Sequence, residues 1–309
     1  MKSQMSEIRS EPIYKEPVFI VGMPRSGTTL IQAILSNTGK YFPMPETHFF
    51  SRVTYGLPEN GFSEKDLRTI HRVLNRKSRI KVDEGTIFKF NSQKEIFEYL
   101  IGMFNTEEKN TFLEKTPRHV FFYSKILKYY PTAKFICMTR EPKNIVSSRL
   151  SKSPTQKKSV IRLALLYNKI AAAILKIKNN SNVLLVRYED LTALNGQCLK
   201  KICEFLDIAY NPKLAENVAA PKEIVSPHEF WKTRNLEFKT IQKNNAEKWR
   251  KTLGIGQADL VNCITKSYAS KFGYALGYDW RKVCKGFCQD IRWLLKPGEI
   301  KKIFFKIQG

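Results

Sequence analysis

The sequence predicts an α/β fold in which helices cover both faces of a central parallel sheet, giving three layers. Short apolar runs rich in β-branched residues recur along the 309 residues, and stretches with helical spacing separate them. Such runs are typical of parallel strands buried on both faces. Polar clusters follow several of the runs, at the edge of the sheet where open α/β folds bind ligands.

The first strand, loop and helix carry the clearest binding signal. Residues 18–21 are wholly apolar, residues 22–27 form a glycine-bounded loop, and residues 28–35 have helical spacing. Backbone N–H groups and a helix N-terminus then converge on one point, which suits a phosphate or sulfate. The spacing Gly22-x4-Gly27 matches the first half of a Walker loop, so the fold is predicted to be of the P-loop type.

This loop differs from the nucleoside-triphosphate-binding version at one position. Thr28 occupies the place of the Walker lysine, and Arg25 within the loop supplies the cation instead. The missing lysine disfavours a β/γ-phosphate beside magnesium, whereas an arginine followed by the hydroxyls of Thr28 and Thr29 suits a terminal phosphate. The alternative is a structural turn with a surface arginine.

The remaining elements follow in chain order. A short strand is expected at 41–44, and the block from 51 to 110 is expected to be helical, with a capping box at Ser92 and Glu95. A short strand is predicted to end in the segment 112–117, and further strands are predicted at 134–138 and 183–186. Helices are predicted at 119–129, 142–150, 156–178 and 199–206. The polar groups at the strand ends are Arg25, Lys115, Arg140 and Tyr188, which predicts one anion site built from four strand ends.

The composition restricts the kind of partner. Lys and Arg number 53 against 28 Asp and Glu, a formal net charge of +25, which predicts an anionic partner. No zinc-finger spacing and no aromatic RNA-binding signature occurs, so nucleic acid is not expected. Hydrophobic residues make up 42%, enough for a sizeable core.

Three features suggest a cytoplasmic protein. No apolar run reaches about eighteen residues, so no transmembrane helix is predicted. Residues 1–16 are polar, unlike a signal peptide, and are expected to form a mobile leader. The six cysteines lack metal-site spacing and are interpreted as reduced thiols, so no metal ion is expected.

Together, residues 17–250 resemble the sulfotransferases that use 3′-phosphoadenosine 5′-phosphosulfate (PAPS), above all the tyrosylprotein and carbohydrate enzymes. The segment 24–30 looks like their 5′-phosphosulfate loop. The segment 138–148 resembles their 3′-phosphate segment, in which Arg140 and Ser148 would grip the 3′-phosphate. The segment 186–191 is similar to a later strand end, at which Tyr188 contacts the nucleotide.

The resemblance also implies a set of cofactor-binding residues. Residues 233–242, followed by Lys248 and Trp249, look like the family's late cofactor loop, although Trp249 fits a core position equally well. Lys152 lies one helical turn after Ser148. The complete predicted PAPS site is Arg25, Ser26, Gly27, Thr28, Thr29, Arg140, Ser148, Lys152, Tyr188, Lys239 and Lys248.

Sulfuryl transfer needs alignment, charge stabilisation and a group that takes the proton of the acceptor. Arg25 and Lys115 are the candidate catalytic cations, and no metal is then required. Glu46, in a Pro-Glu-Thr-His-Phe-Phe context, resembles the family's catalytic glutamate and is the candidate base. The alternative is a loop glutamate that forms a salt bridge with a lysine. His48 and His119 are rival bases. Arg118 either binds an acceptor anion or is a solvated arginine at a helix start.

Three units are expected: a leader (1–16), a sulfotransferase domain (17–280) and a basic amphipathic tail (281–309). The tail either binds an anionic membrane surface or packs on the domain. Two other functions remain open. One is a P-loop kinase or nucleotide hydrolase, and the other is a non-catalytic basic module for nucleic acid or anionic lipid. The acceptor hydroxyl, on a carbohydrate, glycolipid or protein tyrosine, is not specified by the sequence, nor is the oligomeric state.

Overall fold

A five-stranded, wholly parallel sheet forms the centre of the protein, which confirms the predicted fold class. The computed structural model describes residues 14–78, 80–151, 159–193, 196–218, 238–240 and 248–294. The strands are β1 (Val18–Gly22), β2 (Phe42–Pro43), β3 (Phe112–Glu114), β4 (Lys134–Thr139) and β5 (Val183–Arg187). Their order across the sheet is β2-β3-β1-β4-β5.

Helices separate the strands along the chain. They are α1 (Thr28–Ser36), α2 (Glu64–Val73), α3 (Glu84–Ile87), α4 (Gln93–Phe104), α5 (Tyr123–Tyr129), α6 (Pro142–Ser151), α7 (Val160–Ile177), α8 (Tyr188–Leu191), α9 (Gln197–Leu206), α10 (Ile255–Ala269) and α11 (Trp280–Leu294). A two-stranded antiparallel ribbon pairs β6 (Glu216–Val218) with β7 (Phe238–Thr240). In the part of the chain that the structure describes, no helix has the length and hydropathy needed to cross a bilayer.

One predicted helix divides into two kinds of turn. The stretch expected at 119–129 is a 3-10 helix (Pro117–Phe122) followed by α5. The N–H of His119 donates to the carbonyl of Thr116, three residues back, at 2.8 Å.

Strand β1 lies in the middle of the sheet, and helices cover both of its faces. All five of its residues are buried. Phe19 and Val21 join a core cluster with α4 and α7, whereas Val18 and Ile20 join a cluster with α1 and α9. This alternation is the period-2 pattern of a strand between two layers of helices.

The connections from β1 and β4 leave the sheet on opposite faces. Helix α1 follows β1 and packs on one face, whereas α7, reached from β4 through α6, packs on the other. A crevice therefore opens between the carboxyl ends of these neighbouring strands. This is the place where open α/β sheets bind ligands.

The C-terminal helices pack closely on each other and on α7. Gly256 of α10 and Gly286 of α11 meet backbone to backbone, so a Cβ at Gly256 would lie 2.9 Å from the nitrogen of Gly286. The buried carboxylate of Asp290 accepts from the N–H groups of Val160 and Ile161 at 2.8 and 3.1 Å. The predicted tail begins at residue 281, within helix α11. Through the contacts of Gly286 and Asp290, the described part of this helix packs on α10 and α7.

Candidate active site

The loop between β1 and α1 is fixed by close backbone contacts. The N–H of Met23 donates to the carbonyl of Met138 at 2.8 Å, and a Cβ at Gly22 would lie 2.8 Å from the nitrogen of Met138. Arg25 has φ 78°, a left-handed conformation that is unusual for a residue with a side chain. The loop thus holds the Arg25 backbone in a strained conformation beside β4.

Side chains from three elements converge on Arg25. Its Nε donates to Oγ of Ser148 in α6 at 3.0 Å, and Nη1 of Arg140 donates to the Arg25 carbonyl at 3.3 Å. The Arg140 guanidinium lies 4.0 Å from the ring centre of Tyr188, which follows β5. The contacts bring together three of the four strand-end groups predicted to share one site.

Positive charge accumulates at this point. Burial lowers the pKa of Arg25, the neighbouring guanidinium groups of Arg140 and Arg149 lower it further, and the carboxylate of Glu46 opposes them. Arginines this close stay charged and repel one another, so an anion would relieve the repulsion. Arg149 is not among the site residues predicted from the sequence.

The start of α1 supplies backbone donors. Its N-cap is Gly27, which has φ 88° and no side chain to accept from the first turn. Thr28 is buried and Thr29 is half-buried. The hydroxyl of Ser26 is fully buried and donates to the Met23 carbonyl at 2.5 Å, so it braces the loop. Backbone N–H groups at such an N-terminus suit an anion.

Lys115 and Glu46 form an ion pair at the end of β3. The Lys115 Nζ lies 3.6 Å from Oε2 of Glu46, and the side chains are 2% and 24% exposed. Glu46 is also close enough to Arg25 to affect its pKa. The candidate base is therefore paired with Lys115, and its charge also acts on Arg25, the other candidate catalytic cation.

A buried polar cluster beneath this pair was not anticipated. Oε1 of Glu114 accepts from the hydroxyls of Thr47 at 2.8 Å and Thr116 at 2.6 Å, and Oε2 lies 3.0 Å from Nδ1 of His119. Burial alone would raise the pKa of Glu114, but His119 and the two hydroxyls lower it below its ordinary value. The only sequence signal was an acidic residue in a strand that is otherwise apolar.

The two rival histidines occupy different environments. His119 is fully buried, with Nδ1 on Glu114 and its ring 5.1 Å from that of Phe50. His48 is half-buried, and burial lowers its pKa to about 4, so the imidazole is neutral near pH 7. The placement of His119 in the core disfavours direct contact with an acceptor.

The remaining predicted residues lie at the periphery or outside the described residues. Lys152 and the side chain of Lys239 fall outside the described part of the chain, and Lys248 is exposed. Trp249 is buried in a cluster with α6, α7 and α10, with the Lys143 Nζ 4.6 Å from its ring centre. Arg118 is exposed. Burial lowers the pKa of Arg149, and the nearby positive charge of Arg118 lowers it further.

Comparison with models of known protein families identifies the family of this chain. The model described as "Sulfotransferase family" matches residues 17–212. The chain belongs to the sulfotransferase family. The matched range of the chain includes the loop at Arg25, Glu46, Lys115 and Arg140, whereas Lys239 and Lys248 lie beyond it.

Curated relatives are distant and longer. Protein-tyrosine sulfotransferase A of Caenorhabditis elegans is 24% identical over 272 residues, 81% of this chain and 66% of the relative. Protein-tyrosine sulfotransferase of Drosophila melanogaster is 25% identical over 203 residues, which cover 63% of this chain and 38% of the relative. An uncharacterized protein of Aquifex aeolicus (strain VF5) is 21% identical over 257 residues, which cover 77% of this chain and 31% of the relative. The chain spans less than two thirds of the length of each of these relatives.

Solved structures show the same fold. The sulfotransferase domain from the curacin biosynthetic pathway has a TM-score of 0.56 at 20% identity, covering 85% of this chain and 99% of that domain. The sulfotransferase domain of the Synechococcus PCC 7002 olefin synthase has a TM-score of 0.57 at 22% identity, covering 85% and 98%. At these identities, both structures show a likeness of fold and nothing further.

Proposed function

We propose that the protein transfers a sulfuryl group from PAPS to an acceptor hydroxyl. The observation that carries the proposal is the position of Glu46, paired with Lys115 at 3.6 Å and electrostatically coupled to Arg25. A carboxylate that is paired with one cation and interacts electrostatically with a second supplies a base next to groups that can stabilise negative charge. Family membership supports the reaction class.

The donor fits the groups around Arg25. The N–H groups at the start of α1 and the Arg25 side chain bind the 5′-phosphosulfate, while Arg140 and Ser148 bind the 3′-phosphate. Arg140 Nε is buried and has no hydrogen-bond partner among the described residues, which leaves a donor for a phosphate oxygen. Tyr188 packs on Arg140 and holds its guanidinium in place.

The proposed transfer is in line and needs no metal ion. Glu46 takes the proton of the acceptor hydroxyl as that oxygen bonds to sulfur. The bond from sulfur to the bridging phosphate oxygen breaks, and its electron pair stays on the phosphate. Arg25 and Lys115 stabilise the negative charge on the bridging and sulfonate oxygens. Alignment by the loop contributes the rest of the rate enhancement.

The experiment is incubation with isotopically labelled PAPS and a panel of carbohydrate, glycolipid and tyrosine-peptide acceptors, with products identified by mass spectrometry. A sulfated acceptor together with 3′-phosphoadenosine 5′-phosphate (PAP) supports the proposal. Phosphate release from ATP and magnesium, with no transfer from PAPS, would instead favour the kinase or hydrolase, which Thr28 disfavours. Salt-sensitive nucleic-acid binding with no turnover would favour a binding module.

We also propose that the basic C-terminal segment (281–309), as a unit following the catalytic domain (17–280), binds an anionic membrane surface. Within the described part of α11, Trp280 and Phe287 are 63% and 47% exposed, and Cys284 is exposed on the same face. Arg281 and Lys285 are exposed beside them. An apolar face bordered by cations is typical of an interfacial helix.

Vesicle flotation tests this surface. The protein should float with vesicles containing phosphatidylserine and not with pure phosphatidylcholine, and a Trp280→Ser, Phe287→Ser variant should lose binding. Leu165→Ser, which alters a 55% exposed side chain of α7, is the matched control and should bind normally. Equal flotation of wild type and double variant, or none at all, contradicts the proposal.

A further inference from the structure

We propose that Glu114 is a positioning residue that sets the placement of both Glu46 and Lys115. The inference rests on the proposed sulfuryl transfer, in which Glu46 and Lys115 act on the substrates. Glu114 itself is fully buried. It acts through hydrogen bonds to the residues next to this pair.

The neighbours in sequence show how one carboxylate reaches both groups. Thr47 directly follows Glu46, and Thr116 directly follows Lys115, while Glu114 precedes it. Oε1 of Glu114 accepts from the hydroxyls of both threonines, at 2.8 and 2.6 Å. One oxygen atom thus joins the segment that carries the base to the segment that carries the cation.

Each hydroxyl also receives a backbone N–H. The Phe49 N–H donates to Oγ1 of Thr47 at 3.2 Å, and the His48 N–H donates to Oγ1 of Thr116 at 3.2 Å. A hydroxyl that accepts from an N–H and donates to a carboxylate has a fixed orientation. His48, whose N–H makes one of these bonds, has φ 53°, a left-handed conformation.

His119 completes the coordination of the carboxylate. Its Nδ1 lies 3.0 Å from Oε2 of Glu114, and neither side chain is exposed to solvent. A buried carboxylate is stable only when donors satisfy its oxygens, and here three side chains from two segments do so. His119 is therefore assigned to the support of Glu114, and the role of base stays with Glu46.

The expected effect is on geometry at the reacting atoms. Lys115 is 2% exposed, so its ammonium cannot move toward solvent to compensate for a displaced strand end. A misplacement of about 1 Å can lower a rate by roughly 10²-fold. Loss of the network should therefore lower kcat while leaving binding of PAP, which contacts the loop at Arg25, nearly unchanged.

A matched pair of substitutions separates the hydrogen bond from packing. Thr47→Val keeps the shape and removes the hydroxyl, and Thr47→Ser keeps the hydroxyl and removes a methyl group. We expect Thr47→Val to lower kcat by roughly 10- to 100-fold and Thr47→Ser to retain activity within about threefold. In a Glu46→Gln background, Thr47→Val should add little further loss, because the displaced base is already absent. Equal losses for the two substitutions, or additive losses in the double variant, would overturn the inference.

Amide hydrogen exchange gives a readout without turnover. Glu114→Gln and Thr47→Val should both speed exchange at His48 and Phe49, whose N–H groups bond to the threonine hydroxyls. Unchanged exchange at both amides contradicts the positioning role even if no acceptor is sulfated. Faster exchange in a protein whose wild type transfers nothing from PAPS instead contradicts the proposed reaction and leaves the network standing.

Discussion

The ion pair between Lys115 and Glu46 is asymmetric in its exposure to solvent. Lys115 is 2% exposed, whereas Glu46 is 24% exposed. The cation is therefore fixed inside the protein, and the carboxylate is the member that an acceptor can approach. This asymmetry fits the assignment of Glu46 as base and Lys115 as the group that stabilises charge.

Substitution of each partner should therefore have a different signature. Glu46→Gln keeps the size of the side chain but removes the base, and turnover should fall by about 10²- to 10⁴-fold. Lys115→Ala should also lower turnover, because it removes charge stabilisation. Measured against pH, Glu46→Gln should flatten the acid limb of the kcat profile, and Lys115→Ala should preserve it. Near-normal turnover of Glu46→Gln beside an inactive His48→Ala would reassign the base.

The partly buried imidazole of His48 should make stability depend on pH. Burial lowers its pKa from 6.5 to about 4, so between these values the unfolded state binds more protons than the folded state. Stability is then lost as pH falls from about 6.5 to 4, by about 2 kcal/mol between pH 7 and pH 5. Urea unfolding at both pH values measures the loss, and His48→Gln should show a loss smaller by that amount. Identical losses would contradict the effect.

At the scale of elements, the loop and the strand ends constrain each other. Gly27 has φ 88°, and a Cβ there would lie 2.6 Å from Cδ2 of Tyr188. The ring of Tyr188 in turn packs on Arg140. A side chain at position 27 would therefore displace Tyr188, which packs on Arg140, the arginine proposed to bind the 3′-phosphate.

Two glycine substitutions test this contact. Gly27→Ala and Gly39→Ala both place a side chain at positive φ, at a cost of about 1–2 kcal/mol each. Only Gly27→Ala adds the clash, because nothing lies within 4 Å of a Cβ at Gly39. We expect PAP to stabilise the Gly39→Ala protein against heat as it does the wild type, and to stabilise Gly27→Ala much less. Equal PAP-induced shifts in melting temperature would contradict the argument.

The docking of α11 depends on a carboxylate that caps another helix. Asp290 is 4% exposed and accepts from the Ser159 hydroxyl at 2.5 Å and from the first N–H groups of α7. Asp290→Ala leaves these donors unsatisfied and should lower the free energy of unfolding by about 2–4 kcal/mol. Glu204→Ala, at an exposed acidic residue of α9, should cost less than about 0.5 kcal/mol. Chemical denaturation compares them, and similar losses would disprove the capping role.

At the scale of the molecule, the proposed donor site joins residues that are far apart in sequence. Arg25 and Ser148 are separated by 123 positions, yet they form a hydrogen bond. A ligand that contacts both should stabilise the whole fold by mass action. We expect PAP to raise the melting temperature and adenosine 5′-monophosphate, which lacks the 3′-phosphate, to raise it much less. Ser148→Ala should reduce the shift with PAP, whereas equal shifts from both nucleotides would remove the 3′-phosphate assignment.

The fold and the family could be predicted from the sequence because their signals are local. The run 18–21, the loop after it and the polar strand ends each lie within a few residues. The support of the site could not be predicted in this way. Thr47 meets Glu114 across 67 positions, and Asp290 meets Val160 across 130. Such partners are fixed by tertiary packing, which no periodicity in the sequence encodes.

The location of the boundary between the two helices near residue 120 was also beyond local patterns. The apolar spacing of 119–129 is helical throughout, but hydrogen bonding at His119 follows the 3-10 pattern. His119 also contacts Glu114, five residues earlier in the chain. Apolar spacing does not separate these two kinds of helix, because it leaves the hydrogen-bond pattern unspecified.

The central position of β1 has a consequence for biosynthesis. The first strand of the sheet pairs with β3 and β4, so its five buried residues emerge from the ribosome long before Phe112 and Lys134 do. At about 5–20 residues per second, the strand waits roughly 5 to 20 seconds for its second partner. During that interval an apolar edge on each side is open to wrong pairing. Chaperone contact with the nascent chain should accordingly concentrate on β1 and end once β4 has been made.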